Sequence, residues 1–261
     1  MKHNDENNVQ DNLGPQSGHG TFGNPADLNE DDEIDYSIKR NFIIKTYGIL
    51  LSQLAITLIF ISLTFIKSVK EVILFNMKND NPLILVFFIA FSIITLVVFC
   101  VFYCCKKCAR KVPFNYILLF SFTLCMSFYL SLVCAEFDTK IVLTALFLTC
   151  GSTIGLTLYA WTTSDDFTKL GGILFSFILN GFFSFIIFFL FWPEFLYVFS
   201  CFFGVLIYSI YIVYDTQLIL GKFGDGYNID DYCIAALQLY IDIIELFIRI
   251  LYLLSKTTKK D

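Results

Sequence analysis

Long apolar runs separated by short polar breaks dominate the chain from residue 42 onward. A helix that crosses a bilayer needs about 20 mostly apolar residues. Seven runs approach or exceed that length: Phe42–Ile66, Leu83–Tyr103, Phe114–Ala135, Ile141–Trp161, Leu170–Trp192, Phe195–Leu220 and Asp231–Leu254. The breaks hold charged and turn-forming residues. Lys67–Asn81 reads as a loop before Pro82, and a basic loop with Lys106, Lys107, Arg110 and Lys111 precedes Pro113. Glu136–Lys140, Thr162–Lys169, the turn at Pro193 and Glu194, and the Gly/Asp-rich Gly221–Asp230 complete the set. Asn228 and Asp231 are spaced as a capping box for the last run. The pattern predicts an all-α fold, a polytopic membrane protein with six or seven transmembrane helices.

Composition sharpens this picture. The chain is 57% hydrophobic, with 31 Phe, and 16% charged, whereas soluble domains keep about a quarter of their residues charged. The charge is also segregated. Residues 1–38 carry nine acidic side chains against Lys2, a net of -8 that leaves the remainder at +3. So acidic and apolar-poor a stretch is expected to be a disordered tail, followed by a transmembrane domain over 39–254 and a short basic tail over 255–261. The start lacks the basic, briefly apolar pattern of a cleaved signal, so the first hydrophobic helix is expected to serve as the targeting signal. An acidic tail with no basic domain elsewhere excludes nucleic acid as a partner.

Basic residues set the expected orientation. Lys39, Arg40, Lys45, the four at 106–111, Lys169 and Lys222 fall on one side, against Lys67, Lys70, Lys78 and Lys140 on the other. The N-terminus is therefore expected in the cytosol. Lys256, Lys259 and Lys260 oppose that assignment unless the last segment is re-entrant. Cys105 and Cys108 form a CxxC at the end of the second run, but a tetrahedral zinc site needs more ligands, and His3 and His19 both lie in the tail. They read as structural cysteines, with S-acylation as the alternative.

Ionisable groups inside a membrane are costly and mark function by default. Beyond Lys45, which can snorkel to the interface, the runs contain Asp215, Asp242, Glu245 and Arg249. Asp242, Glu245 and Arg249 share one helix face, and Glu245 and Arg249 stand at i, i+4 in the favourable order. They read as a neutralised, charge-compensating pair. Asp215 lies about 9 Å before the loop that opens at Gly221 and Asp242 about 16 Å into the next run, so antiparallel packing can set the two face to face. Two facing carboxylates in a low dielectric cannot both ionise cheaply and titrate as one unit. Such a pair suits proton sensing, transient calcium binding through hard oxygens, or hydrolysis as in aspartic proteases. Asn180, Gln53 and Gln238 read as interhelical hydrogen bonders.

The segments Gly155-Leu-Thr-Leu-Tyr-Ala160, Asp166-Phe-Thr168, Tyr211-Ile-Val-Tyr-Asp-Thr-Gln-Leu218 and Ala235-Ala-Leu-Gln-Leu-Tyr-Ile-Asp-Ile-Ile244 resemble the Bax-inhibitor/Lifeguard family of transmembrane proteins. Arg40-Asn-Phe-Ile-Ile-Lys-Thr-Tyr-Gly-Ile-Leu51 is similar to that family's entry into its first helix, and the resemblance extends over residues 39–254. It implies a seven-helix transmembrane bundle of Bax-inhibitor type with the last helix surrounded by the others. It also implies residence in endoplasmic reticulum or Golgi membranes, a pH-sensitive calcium leak, and restraint of cell death, with death-regulator membrane proteins among the partners. Asp215 and Asp242 match the family's pH-sensing pair, while Glu245 departs from the Asn or apolar residue of many members.

The expected function is thus a calcium leak channel gated by protonation of Asp215 and Asp242, with the lipid bilayer and calcium as partners. No cofactor is expected, and no enzymatic activity. Two rivals stand beside it. A non-conducting scaffold that modulates death regulators shares every feature above. An intramembrane aspartyl protease would need a Gly-x-Gly-Asp helix motif, and Gly221-Lys-Phe-Gly-Asp225 has the wrong spacing.

Overall fold

The computed structural model describes residues 30–79, 82–104, 109–171, 173–174, 194–223 and 226–258. Every regular element among them is helical. These are α1 (Glu30–Leu63), α2 (Lys67–Lys78), α3 (Pro82–Cys104), α4 (Phe114–Ala135), α5 (Thr139–Thr162), α6 (Glu194–Leu220) and α7 (Tyr232–Thr258). Short 3-10 turns cover Phe167–Leu170 and Ile229–Asp231. Stretches of α1, α4, α5 and α6 are long and apolar enough to cross a membrane, so the chain is a multi-pass membrane protein. The expected span Leu170–Trp192 lies for the most part outside the described residues.

The last helix is the core. α7 packs against α1, α4, α5 and α6, and 14 of its 27 residues are buried. Ala235 and Ala236, both at 0% exposure, let neighbouring backbones approach, which is how membrane helices pack when water supplies no driving force between them. Enclosure by four helices explains how α7 carries Asp242, Glu245 and Arg249 amid apolar residues. Asp242 is buried in protein, and Glu245 and Arg249 are each 25% exposed.

A neutral hydrogen-bond network ties α7 to α1 and α4. The Thr57 hydroxyl meets Tyr240 Oη at 2.8 Å, Ser127 Oγ at 2.9 Å and the Gln53 carbonyl at 3.0 Å. Gln53 Nε2 donates to Thr123 Oγ1 at 2.9 Å, the interhelical role expected of it. All five side chains are buried.

Contacts distinguish the two ends of the bundle. At the end that holds the start of α4 and of α7, Arg110 grips Asp231 with two bonds of 2.7 Å each. That hydrogen bond and the attraction behind it raise the guanidinium pKa further. Lys45 does not simply snorkel, because its ammonium lies over the Tyr232 ring, 4.1 Å from the centroid. At the opposite end, Lys70 Nζ donates to the Phe137 carbonyl at 2.6 Å, and the Phe137 ring meets Tyr252 edge-on at 5.3 Å.

Three local expectations are corrected. The tail expected to be disordered through residue 38 is helical from Glu30. No Gly or Pro interrupts the chain from Glu30 to Tyr47, the buried part of α1 supplies the nucleus, and acidic residues at a helix start suit its dipole. The expected loop Lys67–Asn81 is mostly α2. It is too short and too charged to span, but Val69, Ile73 and Met77 repeat at helical spacing, and Lys67 and Glu71 pair at i, i+4. The capping box is not formed. Asn228 makes no side-chain cap, its carbonyl accepting from the Asp231 N–H instead, because the Asp231 carboxylate is committed to Arg110.

Candidate functional site

α6 carries Gly204, Tyr208, Tyr211 and Asp215 at i, i+4, i+7 and i+11, one stripe of a helix. α7 carries Asp242, Glu245 and Arg249 at i, i+3 and i+7. The helices run antiparallel and the stripes face each other, forming a polar seam. Arg249 lies against Gly204 and is a hydrogen-bond partner of Tyr208. Tyr211 interacts electrostatically with both Asp242 and Asp215.

Asp215 and Asp242 meet. They are 4% and 7% exposed, and their carboxyl groups lie within hydrogen-bonding reach of each other. Ionised carboxylates only accept hydrogen bonds, so a bond between the two requires one proton. Asp242 Oδ2 is buried and receives no hydrogen bond from a donor group. Among the described residues, no group of three or more His, Cys, Asp or Glu side chains could hold a metal ion. The depths reconcile as follows. Asp215 is about 7.5 Å before the end of α6 and Asp242 about 15 Å into α7, so α7 begins farther out than α6 ends.

Deeper in the seam, Arg249 Nη2 donates to Glu245 Oε2 at 3.1 Å, with both side chains 25% exposed. The i, i+4 spacing read from the sequence is realised as an ion pair. Gly204 makes room for it, since a Cβ there would lie 3.0 Å from both Cγ and Cδ of Arg249.

α6 ends in a Schellman motif. The Lys222 N–H reaches the Gln217 carbonyl at 3.4 Å, the Gly221 N–H reaches Leu218 at 3.2 Å, and Gly221 takes φ 56°. Just before that end, Gln217 bonds twice to the link after α5. Its Oε1 accepts from the Phe167 N–H at 2.9 Å and its Nε2 donates to the Asp165 carbonyl at 2.8 Å. Within the link, Asp166 accepts from the Thr168 N–H at 3.0 Å and from its hydroxyl. The hydroxyl bond is the largest influence holding the Asp166 carboxyl below its ordinary value.

The residues singled out from sequence therefore fall into two contacting pairs on one seam. Gln238 bonds Tyr227, whereas Asn180, Cys105 and Cys108 lie outside the described residues. Gly204, Tyr208, Tyr211 and Gln217 escaped the sequence reading. The first three were findable, because they continue the helical stripe of Asp215 toward the start of α6. Gln217 was not, because its partners are backbone groups 50 and 52 positions away.

A buried central helix that meets its neighbour through paired carboxyls defines the class: a multi-pass helical membrane protein with an intramembrane acidic pair. Residues 39–259 match the family model described as "Inhibitor of apoptosis-promoting Bax1". The chain is 36% identical over 228 residues to a BI1-like protein of Arabidopsis thaliana, covering 84% of this chain and 82% of that protein. It is 31% identical over 227 residues to Bax inhibitor 1 of Schizosaccharomyces pombe, covering 86% and 80%. It is 28% identical over 253 residues to Protein lifeguard 3 of Homo sapiens, covering 94% and 78%. The chain belongs to the Bax-inhibitor/Lifeguard family.

Proposed function

We propose that this protein is a calcium leak channel of the endoplasmic reticulum or Golgi membrane, with its N-terminus in the cytosol, and that it restrains cell death as its family membership implies. The observation that carries the reading is the buried contact of Asp215 with Asp242, which needs one proton. With that proton shared, the carboxyls hold α6 against α7 and the seam stays closed. With both ionised they repel, part the two helices and present carboxylate oxygens to a divalent cation. The Asp242 Oδ2, which receives no hydrogen bond from a donor group, supports the same reading, since a buried acceptor without a donor favours a proton or cation. The Glu245–Arg249 pair adds no net charge to this path.

The test is calcium flux in proteoliposomes across a pH series. Asp215→Asn and Asp242→Asn should each flatten the pH dependence, because removing either carboxyl abolishes the coupling and not half of it. Asp230→Asn, exposed at the bundle end, should leave the profile intact. An unchanged profile in both aspartate variants would refute the gating role. A wild-type protein that carries no calcium while still protecting cells from death would point to the scaffold instead.

A further inference from the structure

Ile38, Asn41, Phe42 and Lys45 recur at i, i+3, i+4 and i+7, one face of α1 near its start. With Ile44, and with Ile229 of the short turn before α7, they line an open groove of about 480 Å³. That turn packs on α1, so the groove has a wall on each side. Ile44 and Ile229 are 57% and 55% exposed, whereas Phe42 is buried. Lys45 enters this apolar setting with its ammonium held over the Tyr232 ring. Among the described residues, no carboxylate pairs with it. The stretch from Lys45 to Leu63, the last residue of α1, rises about 27 Å, close to a hydrocarbon thickness of about 30 Å. Lys45 therefore stands at the edge of the hydrocarbon, at the level of lipid glycerol and phosphate.

We propose that this groove binds one anionic glycerophospholipid, its phosphate on the Lys45 ammonium and its acyl chains leaving past Ile44 into the hydrocarbon. A cation bordered by apolar side chains is matched by an anion that carries its own apolar part, which a free phosphate lacks. The contact with Tyr232 leaves ammonium hydrogens to donate to phosphate oxygens. Lys39 and Arg40, exposed farther out on α1, add positive charge at headgroup level. Asp35 on α1 and Asp230 beside Ile229, both exposed, oppose it, so a single phosphodiester suits the rim better than a headgroup with several phosphates. In the proposed orientation the groove opens to the cytosolic leaflet, where anionic lipids concentrate. A bound lipid joins α1 to the turn that starts α7. The inference stands whether or not the α6–α7 seam conducts calcium.

The experiment places the photoreactive residue p-benzoylphenylalanine in place of Ile44 in the full chain. The chain is held in nanodiscs of phosphatidylcholine with a minor share of phosphatidylglycerol, the singly charged probe. After illumination, mass spectrometry identifies what has been attached. Phosphatidylglycerol should be enriched about fivefold over its share of the bilayer, the preference that one lysine near the surface confers. Lys45→Met keeps most of the stem and should abolish the enrichment, whereas Lys45→Arg should keep it. Lys78→Met, exposed on α2 at the opposite end, should leave it unchanged. Attachment of phosphatidylglycerol only in proportion to its share overturns the proposal, and so does enrichment that survives Lys45→Met. Should Lys45→Met lose its single size-exclusion peak, Ile229→Glu decides the matter from the other wall. Enrichment lost there supports the groove, and enrichment kept rejects it. Attachment of a peptide from residues 1–29, or of a second copy of the chain, in place of lipid gives the groove to the acidic tail or to a dimer and overturns the proposal. Enrichment removed by excess glycerol phosphate assigns the groove to a soluble phosphate and overturns it as well.

Discussion

Removing one charge of the Glu245–Arg249 pair should harm the protein more than removing both. Breaking a fully buried pair costs about 3–5 kcal/mol, because the survivor stays desolvated. Here each side chain keeps 25% of its surface exposed, so part of that penalty is recovered by screening. Glu245→Gln and Arg249→Gln should each cost about 1.5–2.5 kcal/mol. The double variant keeps both shapes and strands no charge, so its cost should be about 1 kcal/mol, a coupling of about 2–4 kcal/mol. The measurement is the midpoint of reversible unfolding in mixed dodecylmaltoside and dodecyl sulfate micelles. Additive costs, or a double variant worse than either single, would refute the compensating role and place the pair in the conduction path.

Two further outcomes follow from the packing. Thr57→Val and Tyr240→Phe should be coupled by about 0.6–1.7 kcal/mol in a double-mutant cycle in the same micelles, and zero coupling would mean that the Thr57 hydroxyl does not join α1 to α7. Asp166 should confer acid sensitivity on the link. Its carboxyl is held below the ordinary 3.8, so its contribution is fully present above that pH and is lost as pH falls through the lower folded value. The protection factor of the Thr168 amide should stay level above pH 3.8 and drop below it. In Asp166→Ala it should be low throughout, and a level profile in the wild type would contradict the assignment.

The parts of the fold legible in the sequence were those written in hydropathy and in rare residues. Runs long enough to span gave α1, α3, α4, α5 and α6 their places. An ionisable residue in such a run is so costly that Asp215, Asp242, Glu245 and Arg249 stood out unaided. Helical spacing alone joined Glu245 to Arg249, and the antiparallel order of consecutive helices brought Asp215 to Asp242. Averaged hydropathy hid α2 and the early start of α1, because both mix charge with apolar residues at helical period. Asp231 was misjudged because its partner, Arg110, lies 121 positions away. Gln217 looked like a generic polar residue because backbone acceptors and donors leave no mark in a sequence.

Asp242 and Tyr240 are two positions apart on α7, which sets their side chains about 200° apart around the helix. The side toward α1 and α4 is bound by hydroxyl and amide groups, Thr57, Ser127, Gln53 and Thr123 among them, and a neutral network of this kind keeps its hydrogen bonds whatever the pH. On the side toward α6 stand the two carboxyls, whose mutual hydrogen bond requires one proton. In the proposed gate, loss of that proton would leave α7 joined to α1 and α4 and loosen it from α6. The moving element in the proposed gate is then α6, together with the link that its own side chains carry. A disulfide between α1 and α7 should leave gating intact, whereas one between α6 and α7 should abolish it, with calcium flux before and after reduction as the readout. Gating lost in the first and kept in the second would assign the motion to the wrong helix.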